Sequence, residues 1–384
     1  MIPAEQRQTK AAAAHPLLAV GAFLGTVIGV GMFGLPYLAA QMGLLPLIVL
    51  FVFLTPVVLA IHLRFAGVVL GTRGQHRIPG YVHAYLGERW RRFSLVVSAL
   101  GLLGALLAYL IVGGTFLRLV AGPVTELSPL LATILFFLCG AALISRGTRS
   151  VASVDFALTL VFFLLVLLLL MLALPSIDPS VFRGIDWPSS PVGYGVVLFS
   201  LWGLSLVPET VELVGRKKTA ARRVLTYGLV ATAGVYLIFT IMVFGVTGAA
   251  TTPEAISGFV ARFPPVVTLI GGVLGLITTF TSYIALGLTL KKTLTVDLRL
   301  APAAANLGTL GLPLLLFLVG LTNFINVLGL TGAVLLGLEG MLVIAVAERY
   351  RLTRVKRGSG VLNTALGVIL ALGVIIELWV FWRQ

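Results

Sequence analysis

Charge is scarce in this chain and cysteine nearly absent, and each shortage excludes a class of protein. Only 10% of the residues are charged, against about 25% in an ordinary soluble domain. With 59% hydrophobic residues and a mean hydropathy of +1.10, the chain cannot show water the mostly polar skin that a soluble globule needs. Cys139 is the single cysteine and lies in an apolar run, which excludes an intrachain disulfide and leaves the redox compartment unread. The four histidines, His15, His62, His76 and His83, are scattered, mostly at or near the inner surface, and are read as structural. There is no His-Glu-x-x-His, no Gly-x-Ser-x-Gly and no His/Asp cluster at metal-ligand spacing. Nothing therefore argues for an enzyme or for a bound cofactor.

What is present is a series of long apolar runs. A helix crosses the roughly 30 Å hydrocarbon layer with about 20 apolar residues. Eleven such runs occur, near 16–40, 43–69, 93–121, 128–145, 153–175, 192–214, 224–247, 265–290, 304–322, 324–347 and 361–382. They are numbered here as spans one to eleven. Helices are expected, because membrane strands are only about 10 residues long and alternate in polarity. The net charge of +14 does not indicate nucleic acid. With a cytoplasmic N-terminus, every one of the 27 basic residues except Arg118, Arg183, Arg262 and Arg383 falls on the inner side. The positive-inside rule thus places the N-terminus in the cytoplasm and the C-terminus outside a plasma membrane, with anionic lipid as the neighbour of the basic loops. Residues 1–15 form a polar cytoplasmic tail without a small-residue cleavage site.

No stretch is large enough to be a separate soluble domain. The inner loop Gly71–Arg92 holds a turn-rich run, Gly74-Gln75-His76-Arg77-Ile78-Pro79-Gly80, and then an amphipathic stretch over Tyr81–Leu86. In the outer loop, Thr252-Pro253-Glu254 predicts the start of a short helix lying over the outer face. The informative feature is a correspondence between two spans. Span one contains Gly29-Val30-Gly31-Met32-Phe33-Gly34-Leu35-Pro36, and span six contains Trp202-Gly203-Leu204-Ser205-Leu206-Val207-Pro208-Glu209. Both place helix breakers mid-span and then a proline. Five spans separate them, an odd number, so the two run in opposite directions. That is the arrangement of an inverted repeat with a binding site at the midplane.

A glycine costs a helix interior about 1 kcal/mol relative to alanine, and a proline about 3. Freed backbone groups in hydrocarbon cost more still unless they find partners. Pro36 and Pro208 suit the first turn of a second half-helix, where the missing N–H has no role. Free N–H groups near Val30, Gly31 and Met32 would then hold a carboxylate, and carbonyls near Gly203 and Ser205 would accept from an ammonium group. A zwitterionic amino acid satisfies both. A lone Gly-x-Gly, with 43 glycines in the chain, is by itself better explained by close helix packing. The pairing of two breaks carries the argument.

The Gly-x-Gly-Met-Phe-Gly-Leu-Pro run (Gly29 to Pro36) resembles the signature of the amino acid–polyamine–organocation superfamily, and Pro208-Glu209 resembles its aromatic and hydroxy amino acid permease and amino acid/auxin permease branches. The Gly74–Gly80 loop with Tyr81, the Thr-Thr-Pro-Glu loop and Asn323-Phe324-Ile325 are similar too. The resemblance implies an all-α membrane protein of LeuT-type fold: two inverted five-helix repeats over 16–175 and 192–347, discontinuous helices one and six, and an extra helix at 361–382. It implies substrate contacts from Gly29, Val30, Gly31, Met32, Trp202, Gly203, Leu204 and Ser205. Tyr109 in span three matches a position where some relatives set an aromatic against the substrate; its other reading is a packing tyrosine bonded to a neighbouring helix.

For a coupling ion, Thr278, Thr281 and Ser282 put three oxygens on one face of span eight. In sodium-coupled relatives that face, with carbonyls mapping to Gly25 and Ile28, holds the cation. Span five has no lysine, which some proton-coupled relatives use instead. Simple back-bonding of the hydroxyls to the i−4 carbonyl is the competing reading. Intramembrane acids are the proton-coupled candidates. Glu209 sits in the first turn of a half-helix, Asp155 has Arg146 and Arg149 to hand, and Glu339 has no evident partner, whereas Glu377 is read as peripheral. The expectation is a symporter importing a neutral, apolar or aromatic amino acid with Na⁺ or H⁺. The alternative is a sensor on the same fold, such as a germinant receptor subunit, that binds without flux.

Overall fold

The computed structural model describes residues 16–74, 76–146, 161, 164–187, 192–355 and 360–383. Among them no residue lies in a strand. Eight helices are long and apolar enough to cross a membrane: Leu44–Gly71, Glu88–Ala121, Pro129–Arg146, Gly193–Leu213, Lys218–Ala250, Pro265–Asp297, Phe324–Arg354 and Val361–Arg383. The described residues also hold the broken pair Pro16–Val27 and Gly31–Met42 and two shorter apolar helices, Leu164–Ser176 and Pro302–Leu318. The tail 1–15, Arg149 and Asp155 lie outside the described residues.

Glycine in the left-handed region lets the chain reverse tightly where two helices meet end to end. Gly43 (φ 91°) separates the second half of span one from span two, and Gly87 (φ 90°) separates helix Ile78–Leu86 from span three. Span seven packs against both halves of span one and against span two, while span eight packs along span three, which also carries span four. The first half of span six lies on a π-helical turn of span ten, Thr331–Leu336, and span eleven lies on the same turn. Outward-facing side chains are apolar along the spans, with Val52, Phe53, Leu138, Leu164, Val361 and Ile375 all exposed. That is the surface hydrocarbon requires, since helices satisfy their own backbone groups and need only apolar contact outside.

Three local expectations need correction. Pro36 lies inside the half-helix Gly31–Met42 and not in its first turn, because the break falls earlier, at 28–30. The outer-loop helix begins at Ile256, so Pro253 and Glu254 form the turn before it. Glu377 is not peripheral but buried, 5% exposed, against spans six and ten.

Candidate functional site

The two breaks form as the breakers dictate, and they face each other. In span one, helix ends at Val27 and resumes at Gly31. In span six, helix ends at Leu201, Trp202 is extended (ψ 110°), and Gly203 precedes a 3₁₀ turn at Leu204–Leu206. The second half-helix, Val207–Leu213, carries Pro208 in its first turn, as expected for a residue without an N–H to place. A methyl group added at Gly31 would sit 2.5 Å from Ser200 Oγ and 2.9 Å from Ser200 Cα, and one at Gly203 would sit 2.8 Å from Val27. Glycine is required at both points because backbone meets the opposing span directly.

The backbone groups freed at the first break are met largely by tyrosines. Val30 N donates to Tyr109 Oη at 3.1 Å, and Tyr236 Oη donates to Val27 O at 3.0 Å. Met32 N donates to Gly29 O at 3.2 Å and Phe33 N to Val30 O at 3.1 Å. Of the three amides expected to hold a carboxylate, Gly31 N alone makes no hydrogen bond among the described residues. Tyr109 thus matches the reading of a packing tyrosine whose hydroxyl is bonded to a neighbouring helix, and that bond is to the break itself. A methyl group on Gly29 would lie 2.3 Å from the same hydroxyl.

Trp202 is turned toward spans ten and two. Its Nε1 donates to Glu339 Oε2 at 3.1 Å, its ring lies over Gly340, and its face meets the edge of His62 at 6.2 Å between centroids. Glu339 Oε1 accepts from Ser98 Oγ of span three at 2.8 Å. The carboxyl that showed no partner in the sequence therefore joins spans three, six and ten, through neutral donors only. Leu204 is buried, whereas Ser205 and Glu209 are exposed, the latter within electrostatic reach of Arg77 and Lys292.

On span eight, Thr278 Oγ1 donates to Leu274 O at 2.8 Å and Thr281 Oγ1 to Ile277 O at 3.0 Å. Both make the back-bonds of the competing reading, which leaves each oxygen its lone pairs. Ser282 lies within electrostatic reach of the Tyr109 hydroxyl, which bonds the first break. No hydrogen bond among the described residues joins Gly25 or Ile28 to Thr278 or Thr281.

Sequence reasoning passed over three side chains that complete this centre. His62 is fully buried, its Nδ1 is 2.7 Å from Val58 O, and its Nε2 faces Gly203 without a hydrogen-bond partner. Tyr236 and Ser200 supply the Val27 contact and the Gly31 contact. The available signal was a polar side chain deep in an apolar run, which the membrane tolerates only with a purpose. Arg77 at the start of helix Ile78–Leu86 bonds Asp297 at 2.9 Å and Thr293 at 3.2 Å, at the C-terminal end of span eight. Arg216 donates to the carbonyls of Val69, Leu70 and Thr72 and thereby fastens the C-terminal end of span six to span two.

Comparisons with known proteins agree with this geometry. The structure matches that of MhsT, solved in complex with L-phenylalanine, with a TM-score of 0.66 at 15% identity, covering 94% of this chain and 97% of that one. The all-helical membrane fold is thus of LeuT type. A search of curated sequences returned no match. The family model describing the tryptophan/tyrosine permease family matches residues 15–380, nearly the whole length, and the chain belongs to that family: it is an amino acid permease and not an enzyme.

Proposed function

We propose that this permease imports a neutral, apolar or aromatic amino acid by alternating access, coupled to a cation gradient. The observation that carries the reading is the pair of facing breaks, with the free Gly31 amide on one and the open turn at Trp202–Gly203 on the other. A carboxylate suits the positive end of the half-helix that starts at Gly31. The ammonium group suits carbonyls at the second break. Met32 and Leu204, both buried beside the breaks, supply an apolar wall, and the family description and the L-phenylalanine held by MhsT favour an aromatic side chain. Spans one, two, six and seven would rock against three, four, eight and nine.

The coupling ion is read as Na⁺ at Thr278, Thr281 and Ser282 with the carbonyls of Gly25 and Ile28, hard oxygen ligands of the kind Na⁺ takes. Glu209, Glu339 and Asp155 would serve if the ion is a proton. The distribution of basic residues among the loops supports a cytoplasmic N-terminus. Uptake of labelled phenylalanine, tyrosine and tryptophan into proteoliposomes, under separate Na⁺ and proton gradients, tests each part. Na⁺-driven accumulation supports the whole reading, and accumulation driven by protons alone removes the span-eight site. Binding without flux under either gradient would refute transport in favour of a sensor.

A further inference from the structure

Span eleven lies outside the two repeats, yet it carries a buried acid into the contact between spans six and ten. Three glycines make that contact backbone to backbone. A methyl group on Gly332 would lie 1.9 Å from Gly195 O, and one on Gly195 would lie 2.3 Å from Gly329 O. Glu377 fills the remaining space: its Oε1 is 2.2 Å from where a methyl on Gly329 would be, and its Oε2 is 2.8 Å from one on Gly195. The residue is 5% exposed, and Oε2 is buried without a hydrogen-bond partner. Gly195 is the third residue of the outer half-helix Gly193–Leu201, in the turn whose amides a helix leaves unpaired. The carboxyl therefore sits at the outer end of the half-helix that leads to the second break.

Among the described residues no cation faces this carboxyl. Among the described residues of span six the titratable neighbour is Tyr194, whose hydroxyl donates to Ile369 O at 3.4 Å and whose ring packs on Gly373, one turn before Glu377. Span ten offers no titratable side chain between Phe324 and Leu336. On span eleven itself, Arg383 is committed to the face of Trp379, 4.0 Å from the ring centroid. An ionised carboxylate without a counter-ion is costly in such a place, and the neutral acid is not. A proton added to Oε2 gives that oxygen an O–H, and the neighbouring glycine carbonyls are acceptors.

We propose that Glu377 is a proton-binding site by which span eleven holds the outer half of span six in the seated position. The proton comes from the outer side, because Glu377 lies less than two turns from the outer end of its helix at Arg383. Proton loading stabilises the seated arrangement, and ionisation loosens it. The effect on transport rests on the function proposed above; the proton site does not. A cycle that must pass through the seated arrangement at every turnover then runs faster when the outside is acidic.

The test has two readouts on purified protein: initial phenylalanine uptake against external pH, and the melting temperature in detergent against pH. Both compare the wild type with Glu377→Gln, which keeps the shape of the neutral acid. Wild-type uptake is expected to fall several-fold between external pH of about 5 and about 8, the range in which a buried carboxyl titrates. Glu377→Gln should stay fast throughout, and its melting temperature should gain on that of the wild type as pH rises. Glu377→Met, apolar and similar in size, replaces it if the glutamine variant does not fold. A wild-type pH profile that persists in the variant overturns the proposal. So does a melting difference that is constant with pH, whatever uptake does. If no variant transports but the melting difference widens with pH, the transport reading fails and the proton site stands.

Discussion

A single methyl group at Gly31 tests the facing breaks most directly. The added Cβ would meet Ser200 Oγ at 2.5 Å, Ser200 Cα at 2.9 Å and the Phe199 ring at 3.1 Å. The hydroxyl can rotate, at the loss of its 2.8 Å bond to Val196 O, which costs about 1 kcal/mol. The Cα cannot. Ordinary contact begins near 3.4 Å, so the two spans must part by a few tenths of an ångström at the point where substrate is proposed to sit. Overpacking of this kind costs about 1–3 kcal/mol, which corresponds to roughly a 5- to 150-fold loss of affinity if the closed pair of breaks is the binding form. Gly31→Ala should therefore weaken phenylalanine binding, measured by scintillation proximity on purified protein, by that order. Adding Ser200→Ala removes the hydroxyl but leaves the Cα, so it should restore only part. Gly67→Ala in span two, where an added Cβ meets nothing within 4 Å, is the control and should bind normally. Binding by Gly31→Ala within about twofold of wild type would refute the reasoning, and full restoration by Ser200→Ala would show that backbone contact is not the constraint.

Other perturbations have equally definite outcomes. Tyr109→Phe strands the buried Val30 amide, whose acceptor is that hydroxyl, so it should cost about 1–3 kcal/mol, read as a lower melting temperature and weaker binding. Glu339→Ala leaves Trp202 Nε1 and Ser98 Oγ without their acceptor; uptake should drop and tryptophan emission should shift to the red, whereas Glu339→Gln, which keeps one acceptor oxygen, should change both less. Thr281→Ala removes a hydroxyl whose bonds are to the carbonyls of its own helix, so the melting temperature should move little. If the span-eight oxygens hold Na⁺, the same variant should lose Na⁺-driven uptake, and an unchanged Na⁺ dependence would remove the site. Arg77→Ala breaks a half-exposed ion pair with Asp297, which is worth about 1 kcal/mol or less. It should barely change melting while speeding cysteine labelling of positions at the C-terminal end of span eight, where Asp297 and Thr293 lie.

The course of the chain was legible because the membrane imposes one rule, that backbone groups pair within each span, and apolar runs declare where that holds. The breaks were legible for the converse reason: Gly29, Gly31, Gly203 and Pro208 violate the rule at two matching depths. What satisfies the freed groups was not legible. Tyr236 lies more than 200 residues from the Val27 carbonyl it caps, and Glu339 lies 137 from the indole it holds. Such pairs are set by packing angles and have no local spacing to betray them. The misplacement of Pro36 has a similar origin. A proline suits the restart of a helix, but Gly29 and Gly31 open this one earlier, and Gly31–Met42 accommodates Pro36 within its length.

Glu377 shows the same limit from the other side. In sequence it is one acid in an apolar helix outside the repeats, with nothing to distinguish it from a carboxylate reaching for the outer surface. Its meaning comes from Gly195 and Gly329, residues of two other spans that look in isolation like ordinary packing glycines. Only together do the three define a space of carboxyl size, without a cation among the described residues and placed at the start of a half-helix. A glycine in a membrane span thus carries two kinds of information that the sequence cannot separate: room for a neighbouring backbone, as at Gly332 against Gly195, and room for a functional side chain, as at Gly329 against Glu377. The same Gly→Ala substitution tells them apart. At Gly332 the added methyl meets backbone, so no change at residue 377 can relieve it. At Gly329 it meets a carboxyl, so Glu377→Ala in the same chain should recover much of the lost stability, and failure of that rescue would leave Gly329 as a packing residue alone.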